Sequence, residues 1–491
     1  MTTSERRARA HRHYLTFEEL MTNDLTVGHP LKLIIWFALP LLLGNLFMQL
    51  YQISDMIIVG HLISVNALSA IGASAPIYMV FLMIAFGFTG GLTVITAQRF
   101  GAKDEDGVRT SVFHCLLASL TLSVILTVGL IVFLKPLLRI TNMPTELFDD
   151  AYNFMYIMCL STVMIVLFNL ISGFIRALGD SKTPLYFLIF CSLINILLNF
   201  IFIKYCGWGV VGSAMGTLVS NTVAVVICAV YMWHRYPLLR LSKEYMHYNP
   251  QVMRAHLRLA FPMALQFSIL SFSIMIIQSV CNSFGPDVIA AFATAFRIEQ
   301  FATQPLLAIG LSMATFTAQN WGAHLLSRIR RGVKYAFMMS TVISILGFFL
   351  IRKIGADMIA MFIDTGDNVS GNNIALIIDV GKQYLVISTM FYFFFGAIFV
   401  FRNTIQGMGK PLLPLLSSII ELLVRAFSAI FLASAIGYQG IMYAGPLAWF
   451  AAGLMVICAY LYYIRKFSRE NPFRWKMGEV RQSLRINGPV D

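Results

Sequence analysis

Charge is scarce in this 491-residue chain, because Asp, Glu, Lys and Arg together make up only 12% of it. A soluble globular domain carries about twice that share of charged residues. Hydrophobic residues make up 58% of the chain, and 40 Phe and 26 Met are among them. The composition therefore excludes an ordinary soluble protein and indicates a protein that lies in a lipid bilayer.

The chain also lacks the cysteine pattern of a disulfide framework or a metal site. It has seven Cys, an odd number, and their spacings match no metal or redox motif. We interpret them as small core residues. We expect no cofactor and no cleavable signal before the first apolar run.

Apolar stretches long enough to span a bilayer recur along the chain. Six occur in the first half, at 31–59, 67–95, 111–134, 153–175, 184–204 and 211–233, and six in the second half, at 257–283, 288–318, 335–361, 381–405, 411–436 and 438–463. We therefore predict an all-α integral membrane protein of about twelve transmembrane helices.

The basic residues give this arrangement a direction in the membrane. Of the 36 Lys and Arg residues, we assign most, including Arg402, to the side that carries both termini, and we place Arg297 and Arg425 inside spans. Cytoplasmic loops are enriched in Lys and Arg, so we expect both termini in the cytoplasm and the protein in the plasma (inner) membrane. This topology explains the net charge of +13 without a nucleic-acid partner.

The spans and loops divide the chain into five predicted segments. These are a cytoplasmic N-terminal segment (1–30), an N-lobe (31–233), a cytoplasmic connector (234–256), a C-lobe (257–463) and a cytoplasmic C-terminal tail (464–491).

Short sequences repeat between the two halves in the same order. TAQRFGA at Thr96–Ala102 returns as TAQNWGA at Thr317–Ala323, a shift of 221, and LGDSKTPL at Leu178–Leu185 aligns with MGKPLLPL at Met408–Leu415, a shift of 230. Six helices followed by six more predict two pseudo-symmetric lobes related by an axis along the membrane normal. The substrate site of such repeats lies between them.

Matching prolines interrupt the first span of each half, Pro40 in the first and Pro262 in the second. A proline inside a helix removes one backbone hydrogen bond, so we predict a helix bend at each.

A polar stripe crosses the first span. Asn45, Gln49, Gln52 and Asp55 follow one another at spacings of four, three and three, which places them on one face of a helix. An ionised carboxylate in hydrocarbon costs roughly 2.5–3.5 kcal/mol even on lenient scales. We therefore expect Asp55 to face protein or a wet cavity, as a functional acid or alternatively as a structural carboxylate, and we place Gln49 and Gln52 in a substrate cavity.

The second half carries a different set of charges inside its spans. Arg297 and Glu299 are two residues apart and point in different directions, and we place both in the substrate cavity together with Gln278. Whether Glu299 is functional or structural stays open at this point. Glu421 and Arg425 have the i, i+4 spacing of an internal ion pair, which we predict to be structural.

These residues resemble the multidrug and toxic compound extrusion (MATE) family of secondary transporters. The resemblance lies in LPLLLGNLFMQLYQISDMIIVGHL of the first span, FIRALGDSKTPL at Phe174–Leu185, INILLNFIFI at Ile194–Ile203, and FRIEQFATQPLLAIGLSMATFTAQNWGA of the eighth span. It implies a V-shaped molecule of two six-helix lobes and a monomer. It also implies export of varied small molecules, often cationic and amphipathic, in exchange for H⁺ or Na⁺.

The resemblance also implies roles for single residues. Asp55 matches the acid of the family's first helix, which is linked to cation coupling, and Asn195 and Thr217 match its polar neighbours. Asn199 stands where many members have Asp, so a site of two carboxylates is not expected. Asn195 and Asn199 share a helical face and can donate to or accept from Asp55, although plain helix–helix hydrogen bonding is the alternative. The seventh and tenth spans lack the acids that some members use for Na⁺.

Three other functions compete with this interpretation. One is a channel, which is disfavoured because two packed repeats with prolines inside their helices suit alternating access better. A lipid-linked saccharide flippase of the same superfamily would favour a strongly basic cavity. An intramembrane transferase would need a metal site or a nucleophile with its base inside the spans, and the sequence contains neither pattern. We therefore expect a transporter and not an enzyme.

Overall fold

The computed structural model describes residues 24–63, 65–140, 144–362, 374–470 and Trp475. Most of the predicted N-terminal segment (1–30) and of the predicted tail (464–491) lies outside these residues. The described residues are helical apart from short connections, which confirms the all-α prediction.

Six membrane-length helices make up the first half. They are α1 (Pro30–Leu62), α2 (Val65–Gly101), α3 (Glu105–Ile140), α4 (Thr145–Ala177), α5 (Lys182–Phe200) and α6 (Gly209–Arg235). A π-helical turn, Ile201–Tyr205, continues α5.

The second half repeats this arrangement with one broken span. Its helices are α7 (Pro250–Cys281), α8 (Pro286–Gly322), α9 (Leu326–Phe362), α10 (Ile374–Met390), α11 (Tyr392–Gly407), α12 (Leu412–Ile436) and α13 (Gln439–Glu470). The span predicted at 381–405 corresponds to a pair of helices, α10 and α11, which meet at Phe391 with a bend of 49°. The sequence gives no sign of this break, because hydropathy stays high across it and no Pro or Gly lies at it.

Eleven helices of the described residues are long and apolar enough to cross a membrane, and the bent pair α10–α11 adds a twelfth span. The helices extend beyond the apolar stretches because polar caps begin them earlier. The Asn249 side chain accepts hydrogen bonds from the backbone of Gln251 and Val252, and Pro250 occupies the first turn. The last residues of the predicted connector are therefore helical.

The two lobes touch at one side of the molecule and separate at the other. We call the side where α1 begins and α13 ends the terminal side, and the opposite side the far side. On the far side each lobe has its own core, one around Tyr78 and Met155 and the other around Phe292 and Tyr384. On the terminal side, residues of both lobes share cores. The result is the predicted V shape.

Close helix contacts form the seam between the lobes on the terminal side. A Cβ at Gly87 would lie 2.5 Å from the Met263 carbonyl oxygen, and one at Gly91 would lie 2.6 Å from Ala260 Cα. Only glycine therefore allows α2 to approach α7 this closely. The ends of α2 and α8 cross in the same way, with Gly101 against the Gln319 backbone and Gly322 against the Gln98 backbone.

The residues just before α1 bridge both lobes on the terminal side. Asp24 pairs with Lys103 of the N-lobe at 2.8 Å, while the next residue, Leu25, receives hydrogen bonds from Asn320 and Arg328 of the C-lobe at its carbonyl oxygen. Burial alone would raise the pKa of Asp24, but the charge of Lys103 and its hydrogen bonds outweigh burial and lower the pKa.

Candidate functional site

Asp55 lies in the far half of α1 against two asparagines of α5. Asn199 Nδ2 donates a 2.6 Å hydrogen bond to Asp55 Oδ1 and a 3.0 Å bond to Asn195 Oδ1. Asn199 is fully buried, whereas Asp55 keeps part of its surface accessible. The other Asp55 oxygen has no hydrogen-bond partner among the described residues, so it is free to take up a proton.

Asn195 links this carboxylate to α1 and α6. Its Oδ1 also accepts a 2.7 Å hydrogen bond from the Tyr51 hydroxyl. Its Nδ2 donates to Thr217 Oγ1 and Ser220 Oγ, each at 3.2 Å. Three helices are thus joined at one polar cluster, which we call the N-lobe cluster: Tyr51, Asp55, Asn195, Asn199, Thr217 and Ser220.

A glycine on α6 makes room for this cluster. A Cβ on Gly216 would collide with Asn199 Oδ1. That oxygen is buried and has no hydrogen-bond partner among the described residues. Because an amide offers a donor on one side and an acceptor on the other, Asn199 can serve either protonation state of Asp55 by turning.

The structure brings together all four residues predicted for cation coupling, Asp55, Asn195, Asn199 and Thr217. It does not bring Gln52 to them, because the Gln52 side chain is exposed, and Gln49 is half-buried with no bond to Asp55. Tyr51 takes the neighbouring place on the helix and was not predicted. Its signal was available, since Tyr51 and Asp55 have the i, i+4 spacing of one helical face.

The C-lobe holds a second buried group of charges. Glu421 Oε1 lies 2.9 Å from Arg425, so the predicted pair is present. Glu421 Oε2 also lies 3.0 Å from Arg402 on α11, a contact that was not predicted. Arg402 is buried and bonds Ser417 as well. The sequence could not reveal this contact because it joins two different helices.

Glu299 is separate from Arg297, as predicted from their spacing. It is buried inside the C-lobe, where the Tyr384 hydroxyl donates to its Oε2 at 2.7 Å. Its place in the substrate cavity stays a prediction. Its other oxygen, Oε1, is buried without a partner among the described residues. The tenth span does contain an acid, Asp379 in α10, but it is exposed and bonded to Gln383.

The remaining predicted residues lie apart from these clusters. Arg297 is exposed on α8, and Gln278 is exposed near the end of α7, where it donates to Asn282. Pro40 and Pro262 both lie inside continuous helices. A cavity of about 1300 Å³ lies on the terminal side around Gln98, Arg258 and Lys410, away from Asp55.

Among the described residues, no three His, Cys, Asp or Glu side chains form a group able to hold a metal ion.

Comparisons with known proteins agree with this architecture. A family model described as MatE matches residues 40–201 and 262–431. The chain is 25% identical to the probable multidrug resistance protein YoeA of Bacillus subtilis over 88% of the chain and 93% of that protein. It is 28% identical to the probable multidrug resistance protein YpnP of the same organism over 85% of the chain and 92% of that protein. A crystal structure of MATE in the bent conformation is similar in fold, with a TM-score of 0.83 at 22% identity over 91% of the chain and 98% of that structure.

Proposed function

Because the chain belongs to the MatE family of multidrug efflux transporters, we propose that it is a secondary active antiporter. It exports amphipathic, often cationic compounds in exchange for H⁺, by alternating access of a cleft between its two lobes. The observation that carries this proposal is the N-lobe cluster, in which a carboxylate inside the membrane is held by an amide that suits both of its protonation states.

The arrangement of the lobes supports alternating access. They are in contact on the terminal side and apart on the far side. With the termini in the cytoplasm of a cell whose plasma membrane holds the protein, this is the state open to the outside. Transport then requires the seam on the terminal side to open while the far side closes.

The helix α1 is suited to connect the site with the seam. Its terminal half, including Ile34 and Phe37, packs with C-lobe residues, while its far half carries Asp55 against α5. Pro40 lies between these two parts and weakens the helix there. We infer that protonation of Asp55 changes its bond with Asn199, and that α1 passes this change to the seam by bending at Pro40.

The single carboxylate of the N-lobe cluster supports H⁺ over Na⁺ as the coupling ion. A hard cation is held by several oxygen ligands at once, and carboxylates are prominent among them. Asp55 is the only carboxylate among the residues of the N-lobe cluster. A proton needs only the oxygen of Asp55 that is left without a partner.

Counterflow of a fluorescent cationic dye in proteoliposomes tests this function, with a pH gradient and a Na⁺ gradient imposed in turn. We expect the pH gradient to drive dye uptake in the wild type, and we expect Asp55→Asn to abolish that response. Asp150→Asn, which removes an exposed acid at the start of α4, is the matched control. If Asp55→Asn keeps proton-driven transport, the coupling proposal is wrong, and if only the Na⁺ gradient drives uptake, the ion is Na⁺.

A further inference from the structure

Arg297 is a cation inside a membrane span, and it has no ion-pair partner in the part of the chain that the structure describes. Its side chain is exposed, and no described residue forms an ion pair or a hydrogen bond with it. In the 37-residue helix α8 it lies about 10 Å from the midpoint, within a hydrocarbon layer roughly 30 Å thick. A guanidinium facing lipid at this depth is costly, so Arg297 is expected to face water.

The helical stripe that carries Arg297 points at the opposite lobe. From Arg297, steps of four and three residues along α8 lead to Ala318 and Gly322. Ala318 packs with Val94 and Ala97 of the N-lobe, and Gly322 meets the backbone of Gln98. Arg297 lies on the same stripe beyond the last of these contacts, so it faces the open cleft between the lobes.

The repeat shows the same exposure in the N-lobe. Pro76 of α2 is the counterpart of Arg297 at the shift of 221 residues, and it is exposed as well. One turn earlier, Gly72 and its counterpart Ala293 are also both exposed. Of these four exposed positions, Arg297 alone carries a charge.

Two acids that could be expected to pair with Arg297, Glu299 and Asp55, are engaged elsewhere. Glu299 points into the C-lobe and bonds Tyr384. Asp55 belongs to the other lobe, where it bonds Asn199. The facing stripe of α2 continues from Pro76 through Val80 and Met83, which bear no charge. Arg297 thus offers all its hydrogen-bond donors to whatever enters the cleft.

We propose that Arg297 binds the carboxylate of the cargo, so that this transporter takes amphipathic compounds that carry an acidic group, zwitterions included. The planar guanidinium matches a carboxylate with two parallel hydrogen bonds. This inference rests on the proposed export function and names a cargo class within it. It differs from the expectation of purely cationic cargo.

Two rhodamine dyes that differ by one group test the inference by equilibrium binding. One carries a free benzoate, and the other is its methyl ester, which leaves only the positive charge. We would measure fluorescence anisotropy of both dyes with the purified full-length protein. We expect Arg297→Gln to weaken binding of the acid by about tenfold relative to the ester, the size typical of a lost hydrogen bond to a charged group.

Two further variants sharpen this test. Arg297→Lys keeps the charge but loses the paired donors, so we expect a smaller loss for the acid. Arg139→Gln removes the same charge from an exposed position on α3, and we expect it to leave the ratio of the two dyes unchanged. If Arg297→Gln changes the binding of both dyes by the same factor, the inference is overturned.

Competition with the wild-type protein keeps the inference testable if Arg297→Gln does not fold. Naphthalene carboxylate should displace the acid dye, and naphthalene carboxamide, which has the same shape and no charge, should not. Equal displacement by both would overturn the inference. Binding that depends on Arg297, without transport of either dye in proteoliposomes, would instead refute the proposed function and leave the carboxylate site standing.

Discussion

Gln98 and Gln319 hold equivalent positions in the two repeats, and each donates a hydrogen bond across the seam between the lobes. Gln98 Nε2 lies 2.8 Å from the carbonyl oxygen of Gly407, and Gln319 Nε2 lies 2.8 Å from that of Ala177. The acceptors are equivalent too, since Ala177 and Gly407 are separated by the second repeat shift, 230 residues. The lobes are therefore fastened by two symmetric bonds on the terminal side.

Removing either glutamine should favour separation of the lobes at the seam. Each bond contributes roughly 1 kcal/mol, so Gln98→Leu or Gln319→Leu should raise the separated population about fivefold. Distances between spin labels at the terminal-side ends of α3 and α9, measured with the protein in a lipid bilayer, would report the separation of the lobes. Gln383→Leu, which removes a bond within α10 on the far side, should leave the distances as they are. Unchanged distances in both seam variants would contradict a fastening role.

The sequence was sufficient to predict the fold because long apolar runs and repeated motifs determine it. Runs of spanning length predict helices, and the basic loops and the two repeat shifts predict the lobes. The break at Phe391 escaped prediction because no Pro or Gly causes it. The contact between Arg402 and Glu421 escaped prediction because the two residues lie on different helices, and sequence spacing shows only neighbours on the same helix.

The N-lobe cluster was predicted in part. Asp55 was identifiable as an acid in an apolar run, and family resemblance added Asn195, Asn199 and Thr217. Gln52 was predicted to line the substrate cavity on the same helical stripe as Asp55, and its side chain is exposed and does not join the N-lobe cluster. Helix packing decides which residues of the polar stripe on α1 contact α5, and a single sequence does not show how helices pack.

Gly216→Ala should disturb the cluster without touching any of its polar groups. The new methyl group would collide with Asn199 Oδ1 and push the amide away from Asp55. Overpacking of this kind costs roughly 1–3 kcal/mol of folding free energy, and proton-driven dye uptake should fall with it. Thermal unfolding in detergent and uptake in proteoliposomes would measure the two effects.

Gly129→Ala is the matched control for this variant. A Cβ at Gly129 of α3 meets no atom within 4 Å. Alanine is the better helix former by roughly 1 kcal/mol, so stability should be kept or slightly raised. Equal effects of the two substitutions would show that the space around Asn199 is unimportant.

Glu421→Gln should be among the most destabilising single changes in the C-lobe. It leaves the guanidinium groups of Arg402 and Arg425 buried without their carboxylate, and breaking a buried ion pair costs roughly 3–5 kcal/mol. Glu470→Gln removes one partner of an exposed pair, Lys466–Glu470, and should cost less than about 1 kcal/mol. Thermal unfolding of the two variants would compare them.

A triple apolar variant tests whether the buried charges of Glu421, Arg402 and Arg425 serve structure or function. Replacing Glu421, Arg402 and Arg425 together by Leu or Met of similar volume should recover most of the stability, because no uncompensated charge remains. If Glu421→Gln unfolds at the wild-type temperature, the three charges do not act as a stabilising unit. Transport by a stable triple variant would show that these three charges have a structural role.

The Asp24–Lys103 pair should give the terminal side a pH dependence of known sign. The pKa of Asp24 is lowered below its ordinary value of 3.8, so the native state favours the ionised form. The stability that this pair provides is complete at higher pH and is lost as the pH falls below that value. The difference in thermal midpoint between wild type and Asp24→Asn should therefore stay constant from about pH 8 to pH 5 and shrink below about pH 4.

Lys103→Met should show the same profile. In the double variant the two effects should not add, because the same ion pair is lost in each single variant. A difference that grows on acidification would mean that Asp24 is held in its protonated form, and that its ion pair with Lys103 does not fasten the segment before α1 to the N-lobe.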